Sequence, residues 1–366
     1  MKVLILTLTL GAGHNQVAKN IAEELKSQGK TVKIVNMFEN ETFKQWLFGS
    51  VGFSSMQVFP KISDYFYNKA YKNKNKLYNN VSKSIKEGVI EVINNFEPDI
   101  ILSTHILGRL ITKNFGKEIN KPFLNYFIVT DYELPAGLEG FQQDEYIVIP
   151  GKDFKIELSE KGLDTRNILT YGIPVKDKFY KKISKEEALK ELNINLDLSK
   201  KIILVTSGGK GFGNTVKIIK ELSNFNDYQI ISVAGKNKHL KSKIDKIALK
   251  KKNKIISFGF TDKMDVLMSV ADFIVGKTGG ITSTEAIAKG LPLISVGRTP
   301  KPENSNLLYL IGKNMAAQVK KPKNLNQIIN DLNIDLMKKN YTEFSIKDST
   351  KKITSHMIEV FEENKK

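Results

Sequence analysis

The chain has 366 residues, 41% of them hydrophobic, and a formal charge of +18, which suits two globular domains with separate cores. The absence of cysteine excludes disulfides, thiolate metal sites and a cysteine nucleophile, and the four histidines (His14, His105, His239, His356) show no metal-ligand spacing. No apolar run approaches the roughly 20 residues of a membrane span, and the chain starts directly in a strand without a signal peptide, so a protein on the cytoplasmic side is expected.

In chain order, Val3–Leu6 reads as a strand and Gln16–Ser27 as an amphipathic helix closed by Gly29, with the next strand at Val32–Val35. Asp99–Leu102, Phe123–Val129 and Tyr146–Ile149 continue the series. Lys152–Lys161 suits a helix and Asn167–Tyr171 a strand. Gly172-Ile-Pro174 breaks the pattern, and Val175–Lys182 reads as a linker. A second series runs through Lys201–Thr206, Gln229–Val233, Ile255–Ser257, Phe273–Val275, Leu293–Val296 and Ala317–Val319. It closes with helices at Leu325–Leu332 and about Ser349–Glu363. This alternation predicts an α/β protein with two doubly wound parallel sheets. The expected divisions are 1–174, 175–345 and a last helix within 346–366 that returns to the first domain. Ligands of such sheets sit beyond the carboxyl ends of the strands, so two units facing one another would make a cleft.

Charge is uneven. Up to Val175 there are 21 basic and 19 acidic residues; from Lys176 there are 36 and 20. Two basic runs stand out, Lys61–Lys86 and Lys236–Lys254. A basic face suits an anionic bilayer or nucleic acid, although lysines on a solvated face serve equally for solubility. Nothing resembles a zinc finger, an RNP sequence or a helix-turn-helix, so no nucleic-acid partner is expected.

Three strand ends carry chemistry. Thr9 to Ala18 places Gly11, Gly13 and His14 at a strand-to-helix turn, where an imidazole with an unperturbed pKa near 6.5 can act as a general base. The alternative is a capping or packing histidine. Ser207-Gly-Gly-Lys-Gly-Phe-Gly213 is a second glycine loop after a strand. It favours phosphate but fails the Walker A spacing. The most specific string is Val275 to Ile294. There Gly279 and Gly280 open a helix near Ile281 with Thr282, Ser283 and Thr284 in its first turn, Glu285 follows one turn in, and Gly290-Leu-Pro292 closes it. Free N–H groups at such a start favour a diphosphate, and Glu285 could accept bonds from ribose hydroxyls.

Together these residues resemble a known family. Gly11-Ala-Gly-His-Asn-Gln-Val-Ala18, Glu97-Pro-Asp-Ile-Ile101, Val129-Thr-Asp131, Gly172-Ile-Pro-Val175, Ser207-Gly-Gly209, Ala234-Gly-Lys236, Gly259-Phe260 and Lys277-Thr-Gly-Gly-Ile-Thr282 through Pro292 are similar to the monogalactosyl- and glucosyl-diacylglycerol synthases. These are glycosyltransferases of the GT-B fold, related to the transferase that adds N-acetylglucosamine to the lipid-linked precursor of peptidoglycan. The resemblance spans nearly the whole chain and is close to the bacterial processive diacylglycerol glucosyltransferases.

The resemblance implies an inverting transfer of a hexose, glucose or galactose, from a UDP-sugar to diacylglycerol or a glycosyl-diacylglycerol. No cofactor and no metal are expected, the diphosphate being stabilised by helix and loop dipoles. His14 would be the base, with Asp131 as its rival. The donor would meet Gly13, Ser207, Gly208, Phe260 near the uracil, Thr278, Gly279, Gly280, Ile281, Thr282, Glu285 at the ribose, and Glu303 and Asn304. Where the family carries a Pro-x-x-Gln-x-x-Asn-like stretch, this chain reads Arg298-Thr-Pro-Lys-Pro-Glu-Asn-Ser-Asn306 and lacks the glutamine. After Thr130-Asp131 it carries Tyr132-Glu-Leu-Pro135 in place of the His or Trp of some members.

The stretch Phe43–Phe59 holds the only tryptophan, Trp46, with Phe48 and Phe53, and precedes the basic run Lys61–Lys86. Aromatic rings beside lysines suit an anionic bilayer interface, so these three residues are the expected membrane and acceptor contacts, peripheral on the inner face of the cell membrane. Core packing of the same rings is the competing explanation. The rival functions are a GT-B UDP-sugar enzyme with another acceptor, a sugar-nucleotide epimerase, whose Gly-Thr-Arg-Pro-Glu opening is missing here, and a non-catalytic scaffold.

Overall fold

The computed structural model describes residues 1–8, 13–37, 74–138, 144–208, 214–297 and 301–365. The chain divides into two compact units, Met1–Lys176 with Asp348–Lys366, and Asp177–Lys347.

The first unit is built on a six-stranded parallel sheet, β1 (Lys2–Thr7), β2 (Thr31–Asn36), β3 (Ile100–Ser103), β4 (Leu124–Ile128), β5 (Glu145–Val148) and β6 (Ile168–Leu169), in the order β2-β1-β3-β4-β5-β6. Parallel strands covered on both faces read as unbroken apolar runs. Val3-Leu-Ile-Leu6 is such a run, and all four residues have no exposed surface. The edge strand β2 alternates with lysine and stays largely accessible, with Ile34 exposed. Helices α1 (Gly13–Ser27), α2 (Lys74–Phe96), α3 (Ile106–Phe115) and α4 (Lys152–Glu160) connect the strands. Leu4 and Leu6 from β1 meet Val89, Ile93 and Ile85 of α2 and Leu107 and Ile111 of α3 in one buried cluster.

The last helix of the chain, α13 (Ser349–Glu363), belongs to this unit. Ser349 Oγ donates to the Gly172 carbonyl at 3.0 Å, and Thr350 Oγ1 to that of Val175 at 3.2 Å. Further along, His356 Nδ1 lies 3.0 Å from the Tyr126 hydroxyl and the ring sits within 6 Å of Tyr146 and Tyr171. Burial lowers the pKa of His356 while Glu359 and Glu363 push it back up.

The second unit repeats the plan without repeating the sequence. Its strands are β7 (Lys201–Thr206), β8 (Tyr228–Val233), β9 (Ile255–Phe258), β10 (Phe273–Val275), β11 (Leu293–Val296) and β12 (Ala316–Val319), ordered β12-β11-β10-β7-β8-β9 and all parallel. Around them run α5 (Lys185–Leu192), α6 (Thr215–Leu222), α7 (Lys238–Ala248), α8 (Met264–Val270), α9 (Gly280–Lys289), α10 (Lys301–Gly312), α11 (Leu325–Asp331) and α12 (Ile334–Phe344). The stretch Val175–Lys182, expected as a plain linker, contains a short 3-10 turn at Asp177–Phe179 that packs Phe179 into the interior. Between Leu332 and Ser349, where no element was expected, α12 buries Met337 and Tyr341. The Tyr341 hydroxyl donates to the Met315 carbonyl at 2.7 Å, a pairing that a buried phenol needs.

Among the described residues one ion pair is fully enclosed. Arg109 of α3 and Glu145 of β5 are 0% and 3% exposed, with Nη2 to Oε2 at 2.8 Å. Arg109 Nη1 also donates to the Gly137 carbonyl, and Asn125 Nδ2 donates to Glu145 Oε1. The pair therefore fastens the segment after β4 onto α3. Removing one partner strands a buried charge, which typically costs about 3–5 kcal/mol. Arg109→Met is expected to lower unfolding free energy by about that amount, measured by urea denaturation followed by circular dichroism; a midpoint equal to that of the unmodified protein would contradict the role assigned to the pair.

Candidate active site

Each sheet has one place where strand order reverses, and connections diverge there to leave a crevice at the carboxyl ends. In the first unit the chain passes from β1 outward to β2 and then returns to place β3 on the other side of β1. The loops after β1 and β3 flank this point. His14 is the second residue of α1, directly after β1. Its Nδ1 lies 2.7 Å from the carbonyl oxygen of Thr104, the residue following β3. A carbonyl only accepts, so Nδ1 carries the hydrogen and the Nε2 lone pair remains basic. The tautomer follows from this bonding pattern. The Thr130 hydroxyl, after β4, lies 2.9 Å from the same nitrogen, and its oxygen is 3.5 Å from Asp131 Oδ2. The two rival bases are thus neighbours joined through Thr130. Asp131 is half-buried.

The strand ends are tied by hydroxyls. Thr104 Oγ1 donates to Thr7 Oγ1 at 3.0 Å, and Thr7 Oγ1 donates to Asn15 Oδ1 at 2.9 Å. A second imidazole, His105, meets His14 edge-on with ring centroids 5.0 Å apart. Burial, and then the nearby His14, hold the pKa of His105 well below the usual imidazole range. Sequence reasoning did not connect Thr104, His105 and Thr130 with His14, because they lie 90 or more residues away in the chain. A Ser-Thr-His sequence at the end of a buried strand is the signal that could have found them.

In the second unit the reversal lies between β7 and β10. The loops leaving these strands contain Ser207-Gly208 and Gly276-Lys277-Thr278-Gly279. The strands approach so closely that a Cβ on Gly276 would run into Thr206. Ser207 is buried, and both its hydroxyl, at 2.9 Å, and its main-chain N–H, at 3.3 Å, donate to the Val233 carbonyl, so this residue is fastened to the end of β8 and, against expectation, has no donor left for a ligand. Gly208 has φ +68°, a left-handed conformation suited to glycine. Thr278 is also buried, and its hydroxyl donates to the carbonyl of Glu303 at 2.8 Å. That bond, with Lys277 Nζ 3.4 Å from Glu303 Oε1, ties the loop to the first turn of α10, where Asn304 is half-buried.

Helix α9 begins after Gly279, which caps it without a side-chain bond. Among the described residues, chain neighbours aside, nothing lies within 4 Å of where a Cβ on Gly279 would stand, so packing against them does not require glycine there. The first-turn amides of Gly280, Ile281 and Thr282 have no side-chain cap, while the Ile281 side chain is buried. This is an opening of the kind that accepts an anion. Glu285 is half-buried in the second turn of the same helix. Burial pushes its carboxyl up to about 8, with Lys178 pulling it down and Asp265 adding to the rise. Among the described residues nothing is hydrogen-bonded to that carboxyl. Phe260, after β9, is 69% exposed, with Lys236 Nζ 5.8 Å from its ring centroid. Such a ring is a ready platform for a flat base.

Trp46, Phe48 and Phe53 lie outside the described residues, as do Gly11, Arg298 and Lys61. Gly13 is the first residue of α1. Among the described residues no group of three or more His, Asp and Glu side chains could hold a metal ion, and no helix is long and apolar enough to cross a membrane.

Comparison with known proteins bears on the family and the fold. Residues 14–175 match the monogalactosyldiacylglycerol (MGDG) synthase domain, and residues 202–357 match the glycosyltransferase family 28 C-terminal domain. A processive diacylglycerol β-glucosyltransferase of Bacillus licheniformis is 29% identical over 370 residues, covering 98% of this chain and 94% of that protein. The enzyme of the same name from Bacillus pumilus is 28% identical, with the same coverage. Among solved structures, a calicheamicin glycosyltransferase superposes with a TM-score of 0.65 at 12% identity, over 98% of this chain and 97% of the other, and so speaks to the fold alone. With two parallel α/β units and these two domains in succession, the chain is a glycosyltransferase of the GT-B fold. Within that class its first half is a monogalactosyldiacylglycerol synthase domain, and nearly its whole length is similar to processive diacylglycerol β-glucosyltransferases.

The raised Glu285 carboxyl generates a pH dependence. Ribose hydroxyls donating to the carboxylate would favour its ionised form and lower its pKa in the complex. Binding would then release a proton below pH 8, so UDP affinity should rise with pH up to about 8 and level off above it. Charge-assisted hydrogen bonds contribute about 1.5–3 kcal/mol each, so Glu285→Ala should weaken UDP at least about tenfold. Calorimetry between pH 6.5 and 9 with Glu285→Gln as control checks both; an equal slope in the control, or unchanged affinity in the alanine variant, would remove Glu285 from the nucleotide.

Proposed function

We propose that the chain moves a hexose from a UDP-sugar to diacylglycerol or a glycosyl-diacylglycerol, with inversion at the anomeric carbon. The observation that carries this reading is the full-length similarity to enzymes named processive diacylglycerol β-glucosyltransferases. Those names favour glucose. UDP-glucose is α-linked, so a β product requires attack from the face opposite the leaving group.

In this reading His14 Nε2 takes the proton of the acceptor hydroxyl as its oxygen bonds to the anomeric carbon. The bond from that carbon to the diphosphate oxygen breaks, and its electron pair leaves with UDP. The amides of Gly280, Ile281 and Thr282, with main chain at Gly208, receive the diphosphate charge. Glu285 holds the ribose and Phe260 lies against the uracil. Glu303 and Asn304 face the donor sugar. Asp131 supports the charge that forms on His14 through Thr130. No metal has a step in this scheme.

The direct assay incubates the protein with labelled UDP-glucose or UDP-galactose and diacylglycerol vesicles and follows label into the lipid phase. Loss of a general base typically costs about 10²–10⁴-fold in rate. His14→Ala is expected to lose turnover on that scale while binding UDP normally. A larger loss in Asp131→Asn than in His14→Ala would transfer the base role to Asp131. Release of an epimerised sugar nucleotide without labelled lipid would replace the transferase reading altogether.

The acceptor lies in a bilayer, which the chain would reach as a peripheral protein on the inner face of the cell membrane. Trp46, Phe48 and Phe53 supply apolar contact, and the lysines from Lys61 to Lys86 supply attraction for anionic lipid, about 1 kcal/mol for each near the surface. Screening acts over a Debye length of about 8 Å at physiological salt and weakens the second contribution only. Sedimentation with vesicles should therefore rise with anionic lipid content, fall in part at high salt, and be nearly lost when the three aromatics are changed to serine. Equal binding to neutral vesicles removes the electrostatic half of the reading, and full binding by the triple variant removes the aromatic half.

A further inference from the structure

The segment that leaves β3 grips His14 twice. Its main chain does so through the Thr104 carbonyl, 2.7 Å from His14 Nδ1. Its next residue, His105, lays a ring against the imidazole at 5.0 Å between centroids and 84° between planes. His105 is itself fixed. It is the N-cap of α3, with extended backbone at φ −136° and ψ 145°, and its Nδ1 accepts the Leu107 N–H at 3.2 Å. An accepting Nδ1 leaves the hydrogen on Nε2, so the ring is neutral and its plane is set by the helix it caps. Burial, reinforced by His14, opposes any second proton. Among the described residues, the titratable groups around the pair come from three elements: His14 from α1, His105 from the start of α3, and Asp131 after β4, reached through Thr130.

We infer that His105 is a positioning residue for the transfer reaction, a permanently uncharged imidazole that holds the plane of the His14 ring and leaves His14 as the one member of the pair that gains a proton. The inference rests on reading His14 as the base. Two imidazoles at this distance that both titrated near neutrality would compete for one proton, and a charged neighbour would oppose the cation that forms on His14. The cap removes that competition. It consumes Nδ1 of His105 in the same way that the Thr104 carbonyl consumes Nδ1 of His14, and it leaves opposite characters at the two Nε2 atoms: a donor on His105 and a base on His14.

Asparagine is among the best N-cap residues, which separates capping from positioning. In the vesicle assay with UDP-glucose, His105→Asn is expected to melt like the unmodified protein and keep its KM for UDP-glucose. Its kcat should fall about 10- to 100-fold, the scale of a misplaced catalytic group. His105→Ala should show the same kcat loss and a lower melting temperature. An Asn variant with full kcat, or one altered in KM alone, overturns the inference. Should the Asn variant fail to fold, nitrogen-15 spectra of the unmodified chain decide, since only four histidines contribute. His105 is expected to remain the neutral Nε2–H tautomer from pH 8 to 5.5, and a protonated His105 at pH 6 overturns the inference. An active His14→Ala would instead remove the reading beneath it, whereas an inactive His14→Ala beside a fully active His105→Asn removes the positioning role alone.

Discussion

Reversal of strand order next to a central buried strand is the constraint on which both units depend. Parallel strands need crossovers of one hand, so a chain that lays β2 on one side of β1 and β3 on the other sends two connections apart at the carboxyl edge. The sheet beneath is dry: Val3 to Leu6 and Ile202 to Val205 have no exposed surface. Around these central strands, the polar groups that are left to meet a ligand gather where the strands end. In the first unit that edge brings together His14, Thr104 and His105, with Thr130 one strand further. In the second it brings together Ser207, Gly208 and the start of α9.

At both edges the hydroxyls of Thr7, Thr104, Ser207 and Thr278 serve the fold and leave the chemistry to other groups. Thr7 and Thr104 bond to one another across β1 and β3, Ser207 bonds to Val233, and Thr278 bonds to Glu303. A buried hydroxyl without a partner is costly, so these side chains are occupied at the strand ends. What stays open is main-chain N–H at the start of α9, the Glu285 carboxyl and the far nitrogen of His14. The division has a physical rationale. Groups already bonded to the fold do not rearrange, and they hold the open groups in a fixed geometry before a substrate arrives.

The positions of the two histidines show how one element can set another's character. The Thr104 carbonyl fixes the His14 tautomer, and the Leu107 amide fixes that of His105. Both contacts come from the first turn of α3 and the residues leading into it. The enclosed Arg109–Glu145 pair anchors α3 to the segment that follows Thr130 and Asp131, through Gly137. The ends of β1, β3 and β4 are thereby braced from behind by one helix.

Local pattern carried much of this in the sequence. Apolar runs bounded by glycine gave the strands of both units to within a residue or two, because a doubly buried parallel strand has no other way to be written. Gly279, Gly280 and Glu285 could be read as a nucleotide-binding helix start because all of their relevant chemistry lies within one turn and a half. His14 could be singled out for the same reason, standing directly after a glycine turn. The linker residue Phe179 and the helix carrying Tyr341 were missed, since each is defined by burial against distant strands rather than by its own periodicity. The tautomer of His14, the neutrality of His105 and the raised Glu285 carboxyl were beyond reach of the sequence altogether. They depend on a carbonyl 90 residues away, on a helix cap, and on Lys178 and Asp265 approaching from separate elements. The sequence by itself determined which chemical groups stand at the strand ends; only the tertiary structure decided which of their atoms are occupied and which remain free to react, because that depends on partners brought together by the order of the strands.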